Sequence, residues 1–431
     1  MRRIRALARL TRALRHRNYR LFFSGQSVSL VGTWITRVAT SWLVYRLTGS
    51  ELLLGVVGFC GQIPTMVLAP FAGVLVDRWN RHRLLVITQA LSMLQSLALA
   101  ILVFHGSITV AWVLVLQVVQ GVINAFDTPA RQAFVVEMVE DRADLPNAIA
   151  LNSSMVNGSR IVGPSIGGAL IAAFGEGWCF MVDAVSYVFV IASLLMMRLP
   201  ATPKQRVEAK VLEELHDGFR YVRDSVPIRT ALLVLAIVST MAMPYTVLMP
   251  AYASEVLHGG PNTLGLLMTA TGIGALGGAL YLATRPSVVG LGRVMMYATV
   301  TFGSALIAFS LTRTLWLALL VLPIVGAGFM VQLAATNTVL QTLVDDKLRG
   351  RVMAFYTMAF FGTAPIGSLL AGVAADRIGS QWTIGIGGVV SLAAGLWLAS
   401  RLPALRAIVH PIYIERGILP VPAVDSGAKT L

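Results

Sequence analysis

Arg37, Arg160 and Asp183 are ionisable residues set deep inside long apolar runs of this chain. A charge at the centre of a membrane helix costs about 2.5–3.5 kcal/mol on insertion scales. It therefore stands where a partner, an anionic ligand or a coupled ion offsets that cost. By their depth in the runs, Arg37 and Asp183 fall toward the outer side and could pair, although Asp183 could equally cap the end of its helix. Arg160 sits near mid-depth. With Asp127 it completes a set of charged groups that could hold or relay an ion: Asp127, Arg160 and Asp183.

Uncharged polar residues recur close to a helical period in the same runs. One stripe is Gln26, Ser29, Thr33, Arg37 and Thr40, and a second is Gln117, Gln120, Asn124, Asp127 and Arg131. Gln332, Thr336 and Asn337 form a third, and Ser239, Met243, Thr246 and Pro250 a weaker fourth. Such stripes are costly against lipid and should face water or protein. They read as the lining of a pathway, with polar contacts between packed helices as the alternative.

Other chemistries lack their residues. The six histidines are scattered, mainly in loops and tails, and no acid pair lies within one run. Cys60 and Cys179 lie in apolar runs and have no metal spacing or disulfide framework. Neither an enzyme nor a cofactor is expected. Gly272, Gly274 and Gly277 follow a dinucleotide-binding order, but that motif needs a preceding strand and a soluble crossover unit. Within an apolar run, Gly274 and Gly278 instead suit close helix approach.

The elements that must position these residues are long. About 20 apolar residues make one helical crossing. Twelve stretches qualify, near 21–45, 52–76, 84–104, 109–126, 148–173, 178–197, 230–253, 264–284, 294–312, 315–340, 352–375 and 382–400. The chain is 56% hydrophobic and 13% charged, about half the charge density of soluble domains. The net charge of +14 suggests nucleic acid only until it is placed. With the N-terminus inside, Arg46, Arg313 and Arg377 are the basic residues left in outer loops, which sets both termini in the cytoplasm. The expected class is an all-α membrane protein of twelve transmembrane helices in two six-helix bundles. Its expected parts are a basic segment 1–20, a bundle 21–198, a cytoplasmic linker 199–228, a second bundle 229–402 and a loosely ordered tail 403–431. Ile4, Leu7, Leu10 and Leu14 suggest a basic amphipathic helix on the inner membrane face.

Two motifs carry direction. GVLVDRWNRHR holds Gly73, Asp77, Arg78 and Arg81 at the cytoplasmic exit of the second run. An acid there can meet a helix N-terminus and pair with an arginine, forming an inner gate; a solvated basic loop is the alternative. GSRIVGPSIGG holds Gly163, Pro164, Gly167 and Gly168. Its proline bends the helix and its glycines allow close packing. The two halves also echo one another weakly, most clearly at Pro164 and Pro365.

The first motif resembles the signature between helices two and three of the major facilitator superfamily. Asn80 stands where that pattern has a second glycine, and Asn is the next residue to tolerate a left-handed turn. The stretches LFFSGQSVSLVGTWITRVATSWLVYRLTGS, AFDTPARQAFVVEMV and CFMVDAVSYVFVIASL resemble the enterobactin-exporter-like, drug-efflux branch. The second motif is similar to the antiporter motif of drug exporters, with Ser159 in place of a glycine. The resemblance implies a central cavity lined by helices one, four, seven and ten, and so by Gln26, Thr33, Arg37, Gln117, Gln120, Asn124, Gln332 and Asn337. It implies alternating-access export of a small amphipathic molecule across the cytoplasmic membrane, with importer or lipid flippase as the alternative on the same fold. A membrane enzyme or a sensor are more distant rivals. Expected partners are a small-molecule substrate, membrane lipid and protons, without nucleic acid, and the chain is expected to be a monomer. Gln117 replaces the arginine that proton-linked members often carry, so coupling through that arginine is excluded.

Overall fold

The computed structural model is all-helical and describes residues 12–198, 211–285, 287–345 and 348–420; the side chains at 69, 70, 73, 74, 77 and 211–215 are not among those described. The expectations for Ile4, Leu7 and Leu10, the linker residues 199–210, and the surroundings of Gly73 and the Asp77 side chain lie outside the described residues.

The first half of the chain contributes α1 (Arg17–Thr48), α2 (Glu51–Arg78), α3 (Arg81–Phe104), α4 (Val110–Glu137), α5 (Leu145–Phe174) and α6 (Glu176–Leu195). A surface helix α7 (Val211–Asp224) follows, then α8 (Val226–Met241) and α9 (Tyr245–Ala251). The second half continues with α10 (Pro261–Ala283), α11 (Leu291–Leu311), α12 (Leu315–Leu343), α13 (Arg349–Thr357) and α14 (Ala364–Glu415). Among the described residues, nine stretches are long and apolar enough to cross a membrane. Neither α1 nor α5 is among them, because their polar residues dilute the apolar run.

Local chemistry sets the breaks. Gly49 closes α1 in the left-handed conformation, φ 61°, and Ser50 then caps α2 by accepting from Leu53 N. Asn80 departs from expectation: its backbone is extended, φ −73°, and its side chain caps α3 by accepting from Arg83 N at 3.0 Å. It serves as an N-cap, where Asn is among the preferred residues. Gly379 (φ 84°) interrupts α14. Two π-helical turns, Tyr252–Val256 and Met358–Gly362, interrupt the second half where it contacts the first; such turns often mark functional positions.

Within the first half α1 packs on α5 and α6, α2 on α4, and α3 on α4 and α6. Within the second, α10 and α11 pack on α12, and α11 and α8 on α14. The halves meet along α5–α10 and α2–α14.

The tail departs from expectation too. The helix runs on to Glu415 because Leu402, Leu405, Val409, Ile412 and Tyr413 pack against the core. Arg416 then donates to the carbonyls of Leu343 and Val344 at 3.2 and 3.1 Å and pairs with Asp345 at 2.9 Å, satisfying the C-terminal end of α12.

Candidate functional site

The seam between the halves is sealed along part of its length. A Cβ on Gly168 would lie 3.0 Å from Gly265 Cα, and one on Gly55 would lie 2.8 Å from Gly372 Cα. Glycines at both crossings let the backbones touch. Farther along, Thr269 Oγ1 donates to Ile161 O at 3.1 Å, and Gly272 lies against the Arg160 carbonyl. Beyond that point α5 loses its neighbour: a Cβ on Gly158 would meet nothing. Ser153 and Ser154 on α5 are exposed, as are Gln341, Met358 and Phe361 in the second half. The seam is therefore closed at the end carrying Gly49, Pro261 and Gly379, and is open beside α5 toward the end carrying α7.

Two polar contacts lock the closed end. Glu51, buried at the start of α2, accepts a hydrogen bond from Ser380 N at 2.8 Å across the seam. Tyr45 of α1 donates to Glu255 Oε1 at 2.6 Å, and the π turn supplies Glu255. Arg46 pairs with Glu176 at 2.7 Å within the first half. None of the carboxylates in these contacts was singled out in the sequence, where they lie in short links between apolar runs.

Inside the seam, Arg37 and Arg160 converge on Trp34. Their guanidinium carbons lie 4.6 and 5.8 Å from the ring centroid. Trp34 lies three residues before Arg37 and so on the same helix face. Gly163 admits the Trp34 side chain against α5. Arg37 keeps an exposed surface, and Arg160 is half-buried. The Arg37–Asp183 pair allowed by the sequence does not form. Asp183 is buried and accepts from Ser96 Oγ at 2.6 Å, tying α6 to α3. α1 approaches too closely at Gly32 for an arginine to enter there.

The remaining predicted residues separate into groups. Thr33 bonds Ser29 O at 3.0 Å and lies 3.5 Å from the Tyr187 hydroxyl. Gln26 is buried. Gln117 is half-buried beside Gly61 of α2. Gln120 donates to Ser92 and Asn124 at 3.3 and 3.1 Å. Asp127 accepts from Thr88 and Gln89 at 2.9 and 2.7 Å and pairs with Arg131 at 3.0 Å. In the second half Gln332 is fully buried and donates to Thr336, while half-buried Asn337 accepts from Gln341. Arg37 and Arg160 thus come together, Gln120 and Asn124 touch, and Asp127 and Asp183 sit in separate networks facing α3. Of the gate motif, Arg78 is exposed and Arg81 pairs with Glu137 at 2.7 Å. Pro164 is buried in α5 with Gly163, Gly167 and Gly168. A groove of about 680 Å³ lies elsewhere, lined by Tyr281, Arg293, Arg406 and His410 among others, and holds none of these residues.

A second cluster grips the start of α1. Asp144 is fully buried and meets Arg12, Arg15 and His16 at 3.2, 2.8 and 3.1 Å. Ala13 N donates to Asn147 Oδ1 and Tyr19 to Ala148 O. Burial works to raise the Asp144 carboxyl, but the hydrogen bond to His16 and the charges of Arg15 and Arg12 outweigh it and hold the group below its ordinary range.

The model of the transmembrane secretion effector family matches residues 10–416. This chain belongs to that family. It is a multi-pass membrane transporter of the major facilitator superfamily and not an enzyme. It is 27% identical over 377 residues to a staphyloferrin A transporter of Staphylococcus aureus, covering 86% of this chain and 93% of the relative. It is 31% identical over 394 residues to the multidrug efflux pump Tap of Mycolicibacterium fortuitum, covering 89% and 92%. Its fold is similar to an inward-facing, unoccupied bacterial homologue of the human lysosomal transporter Spinster, with TM-score 0.65, 15% identity and coverage of 94% and 98%.

Proposed function

We propose that this chain is a secondary active exporter of the cytoplasmic membrane, moving a small amphipathic molecule by alternating access with proton entry as the driving force. The observation that carries the reading is the seam, sealed by glycine contacts and the Glu51 and Tyr45 bonds at one end and open beside Gly158 and the exposed Ser153 and Ser154 toward the other. With the basic, α7-bearing end in the cytoplasm, the conformation is inward-open. The names of its relatives, a staphyloferrin A transporter and a multidrug efflux pump, support a small-molecule cargo.

Twelve crossings in two six-helix bundles, 21–198 and 229–402, joined by a linker at 199–228, suit this cycle. The Arg349–Glu415 stretch is 67 residues long and is divided at Gly379, which is room for two crossings. In this reading Thr33, Arg37 and Asn337 border the pathway, the Gly-Pro segment of α5 seals the outer seam, and Asp77 latches the inner side. Asp127 and Asp183 are the coupling acids, since each is buried within a hydrogen-bonded set. The reconstituted protein should produce substrate-dependent proton flux in liposomes. Uptake into everted vesicles marks export; uptake into right-side-out vesicles alone would establish an importer and overturn the assigned direction.

A further inference from the structure

We propose that Arg37 and Arg160, braced on Trp34 at the sealed apex of the seam, form an oxyanion clamp, so that the cargo is an organic anion carrying a carboxylate. The inference deepens the export reading and rests on it for the word cargo.

The two guanidiniums share one aromatic ring, which places like charges close together. Among the described residues neither has a hydrogen bond or ion pair with an acid; besides the ring and the other arginine, the Arg160 guanidinium faces the neutral Tyr245 of the second half. Asp183, the acid that could have neutralised Arg37, is engaged with Ser96. An uncompensated pair of this kind is costly inside a membrane protein and is relieved by a bound anion.

The geometry suits a carboxylate. A guanidinium offers a planar fork of donors that matches two carboxylate oxygens, and stacking on an indole holds that fork in orientation. Trp34 is itself fixed, because Gly163 leaves room for its side chain against α5. Arg160 also touches the second half, since Gly272 of α10 lies against its carbonyl. An anion held between the arginines would therefore sit where the two halves converge and would be exposed to the opposite side when they part. Nothing in the cluster favours a cation: among the described residues no carboxylate pairs with either arginine, and two positive charges repel one.

The test uses the full chain purified in detergent, with citrate and salicylate as carboxylate probes and tetraphenylphosphonium as a cationic one, by isothermal titration. At least one carboxylate should bind, and Arg37→Gln and Arg160→Gln should each weaken it about tenfold or more, the loss of a charge-assisted hydrogen bond. Arg37→Lys, which keeps charge but loses the fork, should fall between. Because the arginines are uncompensated, the Gln variants should melt no lower than the parent without ligand; a merely structural role predicts lower melting with anion binding intact. That outcome, or binding of tetraphenylphosphonium but of neither carboxylate, overturns the clamp. Binding in detergent is independent of transport, so absence of proton flux in liposomes would sink the export reading and leave the clamp standing.

Discussion

Glu51 holds the closed end of the seam, and its removal should open it. The carboxylate is buried and accepts from Ser380 N at 2.8 Å, from a residue that directly follows the left-handed Gly379 and belongs to the other half of the chain. Removing this acceptor leaves the buried Ser380 N–H unpaired in the closed form, at a cost of about 1–3 kcal/mol. Each 1.4 kcal/mol is a tenfold change in an equilibrium, so Glu51→Ala should shift the balance between closed and open forms by about five- to a hundredfold. A form populated at about 1% would then rise to about 5–50%. Glu51→Gln keeps an acceptor and should shift it less. The assay is a spin-label distance distribution between Ser107→Cys and Arg313→Cys, exposed positions in loops of opposite halves, with Cys60 and Cys179 replaced by Ala. A longer-distance population should appear in Glu51→Ala. An unchanged distribution in a well-folded Ala variant would refute the latch, whatever happened to transport.

Asp144 gives a pH prediction for the start of α1. Its carboxyl is held below the ordinary range, so the docking of residues 12–16 is fully present above about pH 4 and is lost as pH falls through the depressed value. Hydrogen exchange at residues 12–16 should stay slow until that range; release nearer neutrality would contradict it. At neutral pH Asp144→Asn should speed tryptic cleavage after Arg12 and Arg15, and equal cleavage rates would count against the grip. Gly274→Ala should lower thermal stability by about 1–3 kcal/mol, because the added Cβ runs into the Pro323 carbonyl; a neutral effect on the melting curve would show that the α10–α12 crossing is looser than described. Asp77→Asn should slow transport while leaving membrane insertion intact, and unchanged transport at equal expression would remove Asp77 from the inner gate.

The sequence made the membrane class plain because burial in lipid demands long apolar runs and displaces charge into the links. The stripe on α1 was visible as a period, and its Arg37 does meet Arg160. The partner choice was not visible: whether Asp183 faces Arg37 or Ser96 depends on how α1, α3 and α6 rotate about their axes, and Gly32 brings α1 too close for the arginine. Trp34 carried a usable signal, three residues before Arg37, but an aromatic in an apolar run reads first as packing. Glu51, Glu255 and Tyr45 carried little signal. Tyr45 and Glu255 are 210 residues apart, and a lone acid beside an apolar run looks like an ordinary helix start. Asn80 shows the reverse case, where a substitution in a motif keeps the turn by a different device, a side-chain cap in place of backbone freedom.

The clasp of Arg416 on the end of α12 has a practical consequence. A fluorophore or affinity handle fused shortly after that arginine is coupled to α12 through three separate contacts, so it would report displacement of that helix with little slack. Trimming the polypeptide back to Leu402 would do more than shorten an appendage: it would strip the carbonyls of Leu343 and Val344 of their donor and uncover apolar surface, and the shortened protein should be harder to keep intact in detergent.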